Sequence, residues 1–103
     1  MQKQVQAYLL SDEKELLQPE AILALLQDTA WAKHYTPDII HGIICNSLCM
    51  GLYLNGTQVG FARCVTDYTT VFYLEDVVIH PEHRGRGLGK ALVQTILEQE
   101  PIC

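Results

Sequence analysis

The sequence predicts an α/β domain, α+β in the finer division, built on a mixed, mainly antiparallel sheet with flanking helices. Three observations carry that prediction. Asn55-Gly56 joins two short β-prone runs and is the strongest two-residue hairpin signal. Apolar stripes at helical spacing follow the prolines at 19 and 37. A run rich in Val, Ile, Phe and Tyr over residues 71–79 passes directly into a glycine-rich helix start. The chain has 103 residues, 49% of them hydrophobic and 18% charged, enough to bury one core and too few for two independent domains.

Residues 5–10 form a short apolar run and read as the first strand. Beyond Ser11-Asp12-Glu13-Lys14-Glu15, Pro19 suits the first helical turn, where its missing N–H costs nothing, and Glu20 faces the positive end of the helix dipole. Ile22, Leu25, Leu26 and Ala30 then recur on one face. Thr36-Pro37-Asp38 repeats the start signal with Thr36 as N-cap, and Ile39, Ile40, Ile43 and Ile44 make a second stripe. The period changes to that of strands over residues 48–54 and 57–65, the two arms of the hairpin. After Asp67-Tyr68-Thr69-Thr70, residues 71–79 are apolar on both faces apart from Glu75 and Asp76, which predicts a central strand. Pro81 stops it, and Leu88, Leu92, Val93, Ile96 and Leu97 line a last helix ending near Pro101.

Charge and cysteine usage exclude several classes of function. A net charge of −5 speaks against a generic nucleic-acid or anionic-membrane surface and suits a cationic small substrate. No apolar run approaches the ~18 residues of a spanning helix, and no secretory signal opens the sequence, so the expectation is a soluble, cytoplasmic protein. Cys45, Cys49, Cys64 and Cys103 fall at irregular spacings, which predicts reduced, mostly buried thiols. Cys45 and Cys49 lack a matching second pair and His80 and His83 belong to no His-Glu-x-x-His pattern, so no metal is expected.

The stretch from His80 to Lys90 carries the chemistry. Backbone N–H groups at a helix start lack intrahelical partners, glycines at 85, 87 and 89 allow close approach, and Arg84, Arg86 and Lys90 add positive charge. In an acidic protein these features predict a phosphate or pyrophosphate site, and together they outweigh the plainer reading of a basic, glycine-rich turn. A nucleoside-triphosphate loop is disfavoured, because Arg84 stands at its first glycine and Ala91 at its hydroxyl position. The dinucleotide fingerprint fails at Lys90, where it needs glycine.

What fits is [Gln/Arg]-x-x-Gly-x-[Gly/Ala], present as Arg84-Gly85-Arg86-Gly87-Leu88-Gly89 after the strand Tyr73-Leu74-Glu75-Asp76-Val77-Val78-Ile79. Here the sequence resembles the GNAT superfamily of N-acetyltransferases, and the order of elements extends the resemblance over the whole chain. The resemblance implies acetyl-CoA as cosubstrate, its pyrophosphate on the backbone N–H groups of residues 84–89 beside Lys90. It also implies that the pantetheine arm pairs with the exposed backbone of Val77, Val78 and Ile79. The implied reaction is acetyl transfer to the neutral primary amine of a small molecule, with a base to take its proton and donors for the oxyanion.

Family members usually continue with a further strand, a helix and a closing hairpin, whereas this sequence stops at Pro101-Ile102-Cys103 and looks C-terminally incomplete. The predicted consequence is an unpaired strand edge that a second copy covers, giving a homodimer. The alternative function is a catalytically impaired CoA-binding protein that assembles without turnover, and a third reading is an unrelated phosphate-binding domain. Glu75 and Asp76, on opposite faces by strict alternation, are the candidates for general base, each equally readable as an ion-pair partner or cap. Tyr73 shares a face with Glu75, Val77 and Ile79 and either lines the acceptor site or, the favoured reading, packs in the core. Trp31, His34 and Tyr35, at the join of the first two helices, are candidate substrate contacts, with Trp31 leaning toward the core.

Overall fold

The computed structural model describes residues 2–67 and 69–98. Asn55 and Gly56 both adopt left-handed backbone, φ 51° and 83°, and close β3 (Leu48–Leu54) onto β4 (Thr57–Thr66) as the sequence predicts. β5 (Phe72–Ile79) pairs with the other side of β4, and β2 (Tyr8–Ser11) with the other side of β3. The predicted first strand is instead a hairpin: β1 (Gln2–Val5) turns through Gln6, φ 55°, onto β2. Five strands thus lie side by side in chain order, with every pairing antiparallel, so the sheet is not mixed within the described residues. β5 is accordingly an edge of this sheet and not a central strand.

The helices divide between the two faces. α1 (Pro19–Gln27) and α2 (Pro37–Asn46) cover one, where Ile22, Leu25, Leu26, Ile40 and Ile43 pack with Cys49, Phe61 and Val78. α3 (Leu88–Leu97) covers the other with Leu88, Leu92 and Ile96, over Tyr8, Leu10, Met50, Leu52, Ala62 and Ile79. Ala30 lies beyond the end of α1 and is exposed, and Leu97 turns to solvent, so neither joins its predicted stripe. Thr36 caps α2 as expected, its hydroxyl accepting from the Ile39 N–H at 3.3 Å. The start of α1 is tied to the β3–β4 hairpin by a reciprocal pair: the Gln18 N–H donates to Gln58 Oε1 at 2.8 Å and the Gln58 N–H to Gln18 Oε1 at 3.0 Å.

Two interruptions of the ladder shape the sheet. Between Phe61–Val78 and Arg63–Glu75, one residue of β4 faces two of β5, an inserted residue at Asp76, whose φ is 52°. A short polar side chain is the kind that tolerates left-handed backbone outside glycine. The second shift leaves Val59 as the extra residue of β4 beside Gly60, where a Cβ would stand 3.0 Å from Leu52 Cβ and Ile79 Cδ1. Cys49 and Cys64 are buried thiols and Cys45 is exposed. The expected helix end near Pro101, with Tyr68 and Cys103, lies outside the described residues. No helix is long and apolar enough to cross a membrane, among the described residues.

Candidate functional site

The loop after β5 opens onto a helix start whose first N–H groups have no intrahelical partner. A short turn, Pro81–His83, leads into Gly85 and Gly87, whose φ values of 79° and 76° are open to glycine at little cost. Gly87 is the N-cap of α3, so no side chain satisfies the first N–H groups. The helical ladder begins with Ala91 N–H donating to the Gly87 carbonyl at 3.1 Å, which leaves the N–H groups of Leu88, Gly89 and Lys90 ahead of it. The three predicted cations differ in what they can do. Arg84 turns back on the fold: its Nε donates to the Ile79 carbonyl at 2.9 Å and its guanidinium lies 3.8 Å from Asp28. Arg86 and Lys90 are exposed and have no carboxylate partner among the described residues.

The backbone of β5 presents one free side. The His80 N–H donates to the Val59 carbonyl at 2.8 Å, which makes Gly60 and Ile79 a non-hydrogen-bonded pair. Ile79 therefore turns its own N–H and C=O away from β4, and Val77, two residues earlier, does the same; Val78 faces β4. Of the predicted pairing stretch, Val77 and Ile79 point outward, and the Ile79 carbonyl is already held by Arg84. A cleft of about 470 Å³ opens on the α1 side of this strand end, between Ala21, Ala24 and Asp28 of the helix and His80, Pro81 and Arg84.

The bulge gathers the remaining predicted residues and corrects four expectations. Asp76 is buried and on the face of α1 and α2, where its Oδ2 accepts from Arg63 Nε at 2.5 Å and its Oδ1 from the Trp31 indole N–H at 3.0 Å. Because the inserted residue shifts the alternation, the register sets Glu75 and Asp76 on the same side, not on opposite ones, and Val77 and Ile79 join the α3 face away from Tyr73. Tyr73 is 60% exposed and Trp31 56%, so neither is a core residue: one stands on the sheet edge, the other beyond the end of α1. Tyr35 is half-buried against the α1–α2 core, and its hydroxyl reaches Arg63. Burial works against the Arg63 charge, but the Asp76 carboxylate and then the Tyr35 hydroxyl more than offset it and hold its pKa above the ordinary value.

Asp76 is thus committed to an ion pair, whereas Glu75 has no hydrogen-bond or ion-pair partner among the described residues. His34 packs edge-on against Tyr35, with 5.1 Å between ring centroids. No group of three or more His, Cys, Asp or Glu side chains is gathered as for a metal, among the described residues. Sequence reasoning missed Arg63, although it is the sole charged residue in β4 and that isolation within a buried strand was a usable signal. It also missed the contacts of Tyr8 and Gln6 with the glycine-rich loop, which no local pattern encodes.

Comparison with known proteins gives the family and the fold. Residues 10–100 match the acetyltransferase (GNAT) family. A protein of Gibberella zeae whose name places it among the acetyltransferases is 37% identical over 88% of this chain, which spans 63% of that relative's length. A crystal structure from Xanthomonas campestris pv. campestris, described as belonging to the same family, superposes with a TM-score of 0.87 at 40% identity, covering 92% of this chain and 68% of that one. The diaminobutyrate acetyltransferase of Paenibacillus lautus, solved with L-2,4-diaminobutyric acid and coenzyme A, shares the fold with a TM-score of 0.71 at 18% identity, covering 92% of this chain and 59% of that one.

Proposed function

The chain belongs to the acetyltransferase (GNAT) family, and on that premise we propose that it transfers the acetyl group of acetyl-CoA to the primary amine of a small molecule. The observation that carries this is the helix start after β5: an uncapped α3 N-terminus behind two left-handed glycines, with Arg86 and Lys90 exposed beside it and paired with no carboxylate among the described residues. That arrangement supports pyrophosphate binding through N–H groups and charge together. The outward C=O of Val77, with the Ile79 N–H, then supplies strand-like partners for the pantetheine amides, leaving the Val77 N–H unused by them.

Chemistry in this proposal takes place at the bulge. Glu75, the carboxylate without a partner among the described residues, accepts the proton of the attacking ammonium directly or through a water, leaving the neutral amine to attack the thioester carbonyl. An outward backbone N–H of β5 stabilises the oxyanion of the tetrahedral intermediate, which collapses to the amide and CoA thiolate, the thiolate then taking up a proton. Asp76 does not act as base, because its charge is spent on Arg63 and on fixing Trp31. Trp31, Tyr35 and Tyr73 surround the acceptor, and a cationic amine suits both the aromatic surface and the net charge of −5.

The free edge of β5, with Val71 and Tyr73 exposed beside it, supports pairing with a second copy of the chain. Sedimentation at increasing concentration tests this, and a monomer throughout counts against it. For the activity, CoA release is measured with a panel of primary amines on wild type and Glu75→Gln. The expected result is amine-dependent turnover that drops at least about a hundredfold in the variant. CoA binding without turnover by any amine favours the alternative, a CoA-binding protein that does not catalyse.

A further inference from the structure

The β1–β2 hairpin reaches across the molecule to the glycine-rich loop. Gln6, at the turn, donates from Nε2 to the Arg86 carbonyl at 3.2 Å. The Arg86 guanidinium donates to the Tyr8 hydroxyl at 3.1 Å, and that hydroxyl lies 2.7 Å from His83 Nδ1. Tyr8 is only 2% exposed, and its ring stacks edge-on against His83 with 5.6 Å between centroids. The His80 ring in turn lies edge-on to His83 at 5.7 Å. One loop residue, Arg86, is therefore held through both its main chain and its side chain by a hairpin about eighty positions earlier in sequence.

The direction of these bonds follows from donor counting. A guanidinium has only donors, so the Tyr8 oxygen must accept from Arg86. The phenol has one hydrogen, and His83 Nδ1 is the acceptor within reach that would satisfy it in this buried setting, which requires the tautomer with the ring hydrogen on Nε2. The chain of donation runs from Arg86 to Tyr8 to His83 and fixes the rotor of the hydroxyl so that its lone pair faces Arg86. One guanidinium nitrogen is used by Tyr8, and Arg86 is otherwise exposed. Arg84, by contrast, is spent on Ile79 and Asp28.

From this we infer that Tyr8 is a positioning residue for the phosphates of CoA: it fixes Arg86, with His83 fixing Tyr8 in turn. The inference rests on the acetyl-CoA reading above. A free arginine gives up rotamer freedom when it meets a phosphate, and one already held by Tyr8 gives up less, so the gain appears as affinity for the phosphate-bearing part of the ligand alone.

Two ligands separate this role from a structural one: CoA, and acetyl-pantetheine, which lacks the pyrophosphate and adenosine. Tyr8→Phe keeps the buried ring and removes only the hydroxyl. CoA is expected to bind about five- to tenfold more weakly to the variant, with acetyl-pantetheine unchanged. Adding Tyr8→Phe to Arg86→Gln is expected to cause no further loss. His83→Ala, at a half-exposed position, should give the same selective loss, and His83→Gln, which restores an acceptor, should recover it. In nitrogen NMR of the wild type, His83 should show the form with hydrogen on Nε2, and Tyr8→Phe should release it to a mixture.

Equal CoA affinity in wild type, Tyr8→Phe and His83→Ala overturns the inference alone, as does an equal loss for both ligands. Failure of folded wild type to bind CoA overturns the acetyl-CoA reading and this inference with it.

Discussion

Asp76→Ala tests whether the bulge of β5 is held by its ion pair, and the structure sets the size of the effect. The Asp76 side chain is 1% exposed and that of Arg63 16%, so removing the carboxylate leaves a nearly buried guanidinium with Ser47 Oγ at 3.4 Å and the Tyr35 hydroxyl as remaining partners. Breaking a fully buried pair from one side costs about 3–5 kcal/mol, and the residual water and two polar neighbours of Arg63 reduce that to about 2–4. The Trp31 indole is more than half exposed and regains water, adding nothing. Alanine at a φ of 52° adds about 1 kcal/mol. The expected loss is therefore about 3–5 kcal/mol, which lowers Tm by roughly 12 °C or more in a domain of this size. Asp76→Asn, which keeps the acceptor and tolerates the backbone, should lose only about 1–2 kcal/mol. Urea unfolding of Asp76→Ala, Arg63→Met and the double variant gives the coupling, expected at about 1 kcal/mol or above. Asp76→Ala within about 0.5 kcal/mol of wild type, or no coupling, would mean that the ion pair does not hold the bulge.

Three further outcomes follow from the same structure. Gly87→Val places a β-branched residue at a φ of 76° and should cost at least about 1–2 kcal/mol in urea unfolding while weakening CoA binding; unchanged stability contradicts the left-handed cap. Asp67 is held well below the usual carboxylate range by the Thr70 hydroxyl and by the N–H groups of Val71, Thr69 and Thr70. Its contribution to stability is thus complete above the unfolded pKa and lost as pH falls below about 4, so Asp67→Asn should flatten the acid limb of a stability profile, and parallel limbs would count against it. Burial pushes the Cys49 thiol up to about 11, whereas Cys45 is exposed, so iodoacetamide at pH 8 should modify Cys45 and spare Cys49 until urea is added; comparable native rates at both would be the contrary result, read by peptide mass spectrometry.

The legible parts of this fold are those with a local physical cause. Asn55-Gly56 can take left-handed backbone at both positions, Thr36 can cap, and the apolar period of α3 repeats without interruption, so each of these elements follows from a few adjacent residues. The glycine-rich loop was legible for the same reason. β1 was not, because Gln2-Lys3-Gln4 carries no apolar alternation and its turn at Gln6 uses a residue with no turn preference; pairing with β2 decides it. The inserted residue at Asp76 was equally hidden. Alternation assigns Glu75 and Asp76 to opposite faces unless the register of β4 is known, and that error carried Tyr73 into the predicted core. Arg84, Arg86 and Lys90 read alike as cations, and only tertiary contacts show that the first is turned inward and the second held from β2.

The central claim is that the helix start after β5 holds the pyrophosphate of acetyl-CoA. Calorimetric titration of the 103-residue chain with acetyl-CoA, repeated on Arg86→Glu, tests it most directly. Saturable binding by wild type is expected, with at least about tenfold weaker binding by the variant, whose carboxylate faces the phosphates. Folded wild type that takes up no acetyl-CoA, or a variant that binds it equally well, would contradict the assignment.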